Sequence, residues 1–589
     1  MTTKKTVFWM LAALALWLPG RAAAAEGTWI PLQTSPSEGI GTMLLMPDGT
    51  VMAQGGGGGH TTTDWFKLTP SSTGGYTNGV WTTRTSDNYN RIYYSSDVLT
   101  NGKVFFAGAE YGNGTTNAEI YDPASDHWSI VPIPSGIITT GNTATNNNQN
   151  DAGFADSDSV LLSNGKVLVL PVYPATNNET VIYDPVANSW SSAYLVNNVD
   201  NLGDEDEASS VKLPDDSILV VDSGDTTSER YIPSLNQWVT DSNAPVQLYD
   251  PTGGEEGAGL LLPNGNAFFI GSTPQTAIYI PSGSTNPGTW IQGPNIPNGL
   301  GAPDAPAAMM NNGKILCALS PTPFFDNSTN NPQHTNIFTT PTYFYEYDYS
   351  AGPTGSFTLI HTPSGNYTNG DVGPVTFPDR MLDLPDGTVL FTDGSANLYV
   401  YKPAVSPLAA GKPAINSVSW NADGSLHLSG TLFNGISEGA AYGDDAQMDS
   451  NYPLVRFTDG SGYVSYGTTY NWSSTSVQTG SKIVTTECTL PANVLTNGSV
   501  AYLMQVVANG NASAPVTFFG SVWVDFNYGI NSPQIGTFAN PYSTLARGTN
   551  AVSSGGTISI KPGTSAETMK ISKPMKLIAV GGKAIIGQQ

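Results

Sequence analysis

Apolar residues along this chain fall in short runs that break at small polar turns, and long helical periodicity is absent. The turns repeat. MPDGTV at 46–51, TNGKV at 100–104, SNGKV at 163–167, PDDSI at 214–218, PNGNA at 263–267, NNGKI at 311–315 and PDGTV at 385–389 each sit between two apolar runs. Asp-Gly or Asn-Gly between such runs predicts a tight β-hairpin, because its central residues tolerate positive φ. The spacing is mostly about 50 residues, a period that fits propeller blades. After most hairpins comes an aromatic-x-Pro element, at Tyr121–Pro123, Tyr183–Pro185, Tyr231–Pro233, Tyr279–Pro281 and Tyr401–Pro403. A tryptophan then follows at Trp128, Trp190, Trp238 and Trp290. The first unit is looser (Phe66, then Trp81), and the sixth is longer (Tyr347, then Phe357). Four short strands per unit predict a blade whose radial repetition protects the sheet edges. The seventh unit has its hairpin and Tyr401 but no following tryptophan. GTWIPLQ near the N-terminus carries Trp29 and is expected to supply the missing strand and close the ring. The fold class is therefore all-β, with about seven blades.

The hairpins, the glycine run Gly55–Gly59, the tyrosines and the spaced tryptophans resemble the Kelch-repeat family over residues 27–405. The double glycine is present only in the first unit and decays elsewhere, as at Ala107-Gly108 and Ser223-Gly224. A Kelch-type propeller is expected over 27–408. Past YKPAVSPLAAGKP the pattern changes. Residues 409–521 read as short strands of a sandwich. With DDAQMDSNYPLVRF and AYLMQVVANGNASAPVTF they resemble the Ig-like early-set domain that follows the propeller in galactose oxidase and glyoxal oxidase relatives. Residues 522–589, with GTFANPY, GGTISI and ISKPMKL, resemble the opening of a parallel β-helix. At about two coils this piece is too short to be a catalytic solenoid, so an accessory or interaction module is expected.

The oxidase resemblance implies a copper site with a Cys-Tyr crosslink, a Tyr-His pair and a histidine from the Ig-like domain. None of the five histidines (His60, His127, His334, His361, His427) follows a tyrosine, and the loop ISEGAAYGDDAQ holds no imidazole. Cys317 lies in an apolar strand. Copper wants imidazole and phenolate ligands at such a site, so no copper and no radical-copper oxidation are expected.

Counting back eight positions from the Asp or Asn of each hairpin gives Ile40, Tyr93, Asp156, Glu207, Glu256, Asp304 and Pro378. Four successive units carry a carboxylate, and equal offsets in a radial repeat are equal places in space. The expected place is one mouth of the central channel. Asp379 and Arg380 lie beside the seventh position, Arg91 beside the second, and Glu205, Asp206 and Glu255 would deepen an acidic arc. Gathered carboxylates call for water, a cation or raised pKa values. Ca²⁺ held by Asp156, Glu207, Glu256 and Asp304 is one reading, since it takes six to eight oxygens. A cationic or polyhydroxylated ligand is another, and plain solvation of the channel mouth is a third. The long insertion of the sixth unit, FFDNSTNNPQHTNIFTTPTYFYEYDY, either lids the channel or packs against the C-terminal domain.

Acids outnumber bases by 47 to 22 and the pI is near 4.3. That balance disfavours nucleic acid and anionic membrane as partners. The first 25 residues carry Lys4 and Lys5, an apolar stretch and small residues before Glu26, the order of a cleaved signal peptide. No later stretch reads as a membrane span. The expected location is secreted or periplasmic. Cys317 and Cys488 are expected to be buried free thiols. No phosphate-binding loop, GxSxG elbow, HExxH or zinc spacing occurs. The leading reading is an exported protein that binds carbohydrate or a cell-envelope component at the propeller mouth. A secreted glycan hydrolase or lyase using the mouth carboxylates, and a structural or adhesion protein, stand as alternatives.

Overall fold

The computed structural model of the chain describes residues 26–587 except 58, 140–151, 172, 174, 177, 195, 197–207, 251, 253, 327–335, 367–374, 443–450, 495–497 and 499. The leader and Glu207 lie outside the described residues. Seven antiparallel sheets form a β-propeller. Their innermost strands, in blade order, are Met43–Leu45, Ser95–Val98, Asp158–Leu161, Ser210–Lys212, Gly259–Leu261, Pro306–Met309 and Arg380–Asp383. Each strand leads through one of the repeated turns into the second strand of its blade. The left-handed glycines Gly49, Gly102, Gly165, Gly265, Gly313 and Gly387 close those turns.

The recurring tyrosine and tryptophan have separate tasks. In blades 2, 3 and 4 the tyrosine hydroxyl donates to an Asp or Asn five residues on, at Asp126 (2.8 Å), Asn188 (2.9 Å) and Asn236 (2.8 Å). Each of these acceptors is left-handed, so the bond braces a strained turn between the third and fourth strands. The tryptophan lies directly across the strand pair from the tyrosine, as in Tyr121↔Trp128 and Tyr183↔Trp190. Its indole N–H reaches back to the preceding blade. Trp128 donates to Thr85 O (2.8 Å), Trp190 to Pro132 O (3.1 Å) and Trp238 to Thr180 Oγ1 (2.9 Å).

Blade 7 closes as the sequence predicts. Thr28–Pro31 pairs with Tyr399–Lys402 and places Trp29 opposite Tyr401. Trp29 donates to His361 O (2.7 Å), just past the last strand of blade 6, which is the latch the other tryptophans make. Its ring packs on Phe344, Phe391 and Tyr401.

The C-terminal sheet is a half-barrel. Val464–Tyr470 pairs with Leu454–Thr458 on one side and Ile483–Thr489 on the other, so eight strands form one continuous sheet. The sheet curls around Leu428, Phe457, Val484, Met504 and Phe518. It docks on the propeller through the hairpin turns. Thr469 N donates to Pro47 O (3.3 Å), Asn471 N to Thr100 O (2.5 Å), Thr475 Oγ1 to Leu162 O (2.7 Å) and Gln478 Nε2 to Leu262 O (2.6 Å). Beyond it, Val522–Val524, Thr557–Ile560 and Lys576–Ala579 stack in parallel over a small apolar core, with Trp523 against Trp420. Both cysteines are free and buried.

Two outcomes are expected. Trp29→Ala should lower unfolding stability by about 3 kcal/mol in urea titration, while Trp29→Phe, which keeps most of the packing and loses the latch, should cost about 1 kcal/mol. Gly49 has φ +74° and a Cβ there would lie 2.6 Å from the Tyr466 ring. Gly49→Ala should therefore cost more than about 1 kcal/mol, and the loss should shrink in a Tyr466→Ala background.

Candidate functional site

The channel is filled from the side of the C-terminal sheet. Strand Ala440–Tyr442 enters it and pairs antiparallel with the inner strand of blade 6, with Pro306 opposite Tyr442 and Ala308 opposite Ala440. Lys212, fully buried on the inner strand of blade 4, holds this insertion through Glu438 at 2.6 Å. The insertion packs on blades 5 to 7, and a small void remains between it and blades 2 to 5, beside Asp97 and Asp158.

Hydrogen bonds stitch neighbouring blades around this axis. Ser95 Oγ donates to Ser157 O (2.6 Å), Ser159 Oγ to Asp97 (2.6 Å), Ser210 Oγ to Asp158, Ser209 Oγ to Gly257 O (2.7 Å), Asp304 N to Glu256 O (3.2 Å) and Thr376 Oγ1 to Pro303 O (2.8 Å). Burial raises the Asp97 carboxyl to about 6, against the bond from Ser159.

At the far end of the insertion the channel opens into a cup of about 340 Å³. Tyr93, Asp156 and Asp304 line it, and all three have left-handed backbones (φ 52°, 48° and 42°). In these three blades the offset marks a strained turn that aims a side chain inward, a cost the blade framework sustains. Glu255 and Glu110 bring the number of carboxylates in the lining to four, and Tyr111, Phe338, Phe377 and Tyr442 give aromatic wall. Tyr442 is the tip of the inserted strand. Its hydroxyl donates to Phe377 O (2.7 Å). The Arg380 guanidinium lies 3.7 Å from the Tyr442 ring centre and 5.7 Å from that of Tyr93, and donates to Phe377 O (2.7 Å) and Asp379 O (2.9 Å). Arg380 therefore sits under the floor as a cation–π support rather than on the cup surface, at 3 % exposure.

The predicted set divides. The structure brings Tyr93, Asp156 and Asp304 together, with Arg380 beneath them. Glu256 points into the blade wall, where its Oε2 accepts from Ser209 N (3.3 Å), and its neighbour Glu255 takes the place in the cup. Successive side chains of extended chain face opposite ways, which explains the exchange. Burial, then Asp222, pushes the Glu256 carboxyl well above the usual carboxylate range. Asp379 is fully buried and shifted upward by burial and Asp393, with Arg380 opposing. Arg91 turns away into the core of blade 2, paired with Asp87 (3.3 Å) and Glu119 (2.5 Å). Glu207 lies outside the described residues. Among the described residues no three Asp, Glu, His or Cys side chains group so as to hold a metal ion.

Glu110, Tyr111, Phe377 and Tyr442 were not foreseen in the cup. The first two belong to the connection after the second strand of blade 2, which returns to the same mouth. Tyr442 stands in the ISEGAAYGDDAQ loop, whose missing imidazole is no obstacle to its reaching the channel. Phe338 comes from the sixth-unit insertion, which the sequence offered either as a lid or as packing against the C-terminal domain.

Fold and site together define a seven-bladed propeller whose channel is plugged from below and opens above as an acidic, aromatic cup. No family model matches the chain, and no curated protein matches its sequence. Similar solved structures are found at low identity. A fungal alcohol oxidase, described as showing catalytic diversity among the AA5 family and solved with copper, is 14 % identical, covering 84 % of this chain and 99 % of its own, with a TM-score of 0.46. A streptogramin B lyase is 10 % identical over 64 % of this chain and 98 % of its own (TM-score 0.37), and a virginiamycin B lyase from Staphylococcus aureus is 10 % identical over 64 % and 99 % (TM-score 0.39). The chemistry of the cup is read from its own residues.

A folded-state pKa of about 6 for Asp97, above the unfolded value, means that the native state binds the extra proton. Its contribution to stability is complete below about pH 4 and is lost as pH rises to about 6, by roughly 3 kcal/mol. Asp97→Asn, which keeps an acceptor for Ser159, should flatten that part of the stability–pH curve measured by chemical unfolding.

Proposed function

We propose that this protein binds carbohydrate at the propeller cup, as an exported protein acting on free glycans or on a cell-envelope component. The observation that carries the reading is the cup itself: four carboxylates and five aromatic rings line one concave mouth of about 340 Å³. Aromatic faces stack on the apolar faces of sugar rings, and carboxylates accept hydroxyl hydrogen bonds as charge-assisted acceptors. The size suits a mono- or disaccharide end, at the lower edge of small-molecule pockets. No lysine or arginine is among the lining residues. The charge therefore favours sugars bearing protonated amines over uronates, which would need a bridging cation such as Ca²⁺. The Kelch-type repeat and the Ig-like partner domain, with a cleaved leader at 1–25, are the family and export readings that accompany this function.

Calorimetric titration of a panel of neutral, amino and uronate oligosaccharides, with and without Ca²⁺, tests the reading. Amino or neutral sugars should bind. Glu255→Gln and Asp304→Asn should each weaken binding about tenfold or more. A panel that gives no heat, or variants that bind as well as the parent, would remove the cup from consideration. Release of reducing ends or unsaturated products during the titration would turn the reading toward a glycan-processing enzyme.

A further inference from the structure

A larger cavity than the cup lies on the opposite face of the propeller. It has a volume of about 470 Å³ and is walled by the hairpin turns of blades 1 and 2 and by the ends of two central strands of the C-terminal half-barrel. Pockets between packed domains, mostly apolar with a few polar groups, are a usual place for small ligands. Met46, Pro47, Met52 and Tyr470 supply the apolar wall.

The polar part is unusual for this chain. The whole protein carries a formal charge of −25, with only 22 lysines and arginines in 589 residues. Three of them, Lys67, Arg84 and Lys103, line this one cleft, against two lining carboxylates, Asp48 and Asp122. Each cation is braced at its edge, Lys67 by Asp48, Lys103 by Asp122 and Arg84 by Asp126, all at 3.1 Å. Bracing fixes the direction of a flexible side chain without using all its donors: an ammonium has three and a guanidinium five. Lys103 stays 44 % exposed and Lys67 30 %. Arg84 is further held by Tyr121, whose hydroxyl accepts from Nε (3.3 Å) and donates to Asp126 (2.8 Å). With Asp126 counted, three cations and three carboxylates balance, so the cleft is locally neutral inside a strongly negative molecule, with cationic donors already oriented beside an apolar wall.

We propose that this cleft is a binding site for a compact amphipathic anion. The ligand's apolar body would lie against Met46, Met52 and Tyr470, and its carboxylate or sulfonate would take the remaining donors of Lys67 and Lys103. The site is independent of the cup, because no residue lines both. Its position also gives it a consequence. The ligand touches the propeller through the hairpin turns and the half-barrel through Thr468 and Tyr470, so binding strengthens the seam between the two units.

Anilinonaphthalene sulfonate, an aromatic sulfonate whose fluorescence rises in apolar surroundings, is the probe. The native full-length protein should bind it saturably at one site, and the probe should raise the melting temperature, which separates binding to the folded protein from binding to an unfolded one. Lys103→Gln, at an exposed position, should weaken binding about tenfold. Ala124→Trp, on an exposed turn at the cleft rim, should fill the site and abolish binding. Glu255→Gln in the cup should leave the affinity for the probe unchanged. The uncharged analogue phenylnaphthylamine should bind more weakly than the sulfonate. Absence of saturable binding, a melting temperature that falls with the probe, or affinity unchanged in Lys103→Gln would overturn the proposal.

Discussion

Everything in this molecule depends on the ring being closed, and one tryptophan closes it. A propeller of seven sheets has as many blade-to-blade seams as blades. A seam is stable only if groups on one blade find partners on the next. In blades 2 to 4 the indole N–H does this by reaching back across the seam. In blade 7 the residue that does it, Trp29, comes from the other end of the chain. The latch at His361 O therefore joins residues more than 300 positions apart, and the chain entropy of that closure is met once by the strand pairing Thr28–Lys402 to Pro31–Tyr399. Stiff inner strands follow from closure, and only stiff inner strands can hold Tyr93, Asp156 and Asp304 in left-handed conformations at the mouth.

The hairpin turns have a second use. Their tight geometry exposes carbonyl oxygens at Pro47, Thr100, Leu162 and Leu262, and the half-barrel docks by donating to these from one segment, Thr469 to Gln478. The residue type demanded by the turn, glycine or a small polar residue, is also the type that lets another sheet approach closely. Gly49 under the Tyr466 ring and Gly387 against Gly510 illustrate this. Docking in turn aims the inserted strand up the channel, where Lys212 and Glu438 fix it and Tyr442 completes the cup floor.

The repeat was legible because it is written in residues with local tasks. Asp-Gly and Asn-Gly turns, a tyrosine bracing a left-handed residue, and a tryptophan opposite it recur at fixed spacing whatever lies around them. Even the closing strand could be read, since Trp29 was the one piece absent from unit seven. The mouth was only half legible. An offset locates a backbone position, and Tyr93, Asp156 and Asp304 share one. It does not say which of two adjacent side chains faces the axis, so Glu255 and Glu256 exchanged places. Nor does it reveal partners brought by another segment: Arg91 is claimed by Asp87 and Glu119 on its own blade. Tyr442 arrives from a different domain, and its place depends on docking geometry that no local pattern encodes.

The acids near the axis show how one spacing can serve two physical ends. Glu256 and Asp158 sit where blades meet, accept hydrogen bonds from serines of blade 4, which neighbours both, and are buried. Their role is to satisfy donors, and for Glu256 the surroundings favour the neutral form. Asp156, Glu255 and Asp304 reach the wall of an open cavity. What divides these groups is the surface each one reaches, a seam between blades or the wall of the cup, since Asp156 and Asp158 are buried alike. The inserted strand sets that division, because it fills the channel against blades 5 to 7 and ends at the mouth. Below its tip the axis is packed and carboxylates become structural acceptors. At its tip the packing stops, and the same kind of side chain becomes a surface that a ligand can meet.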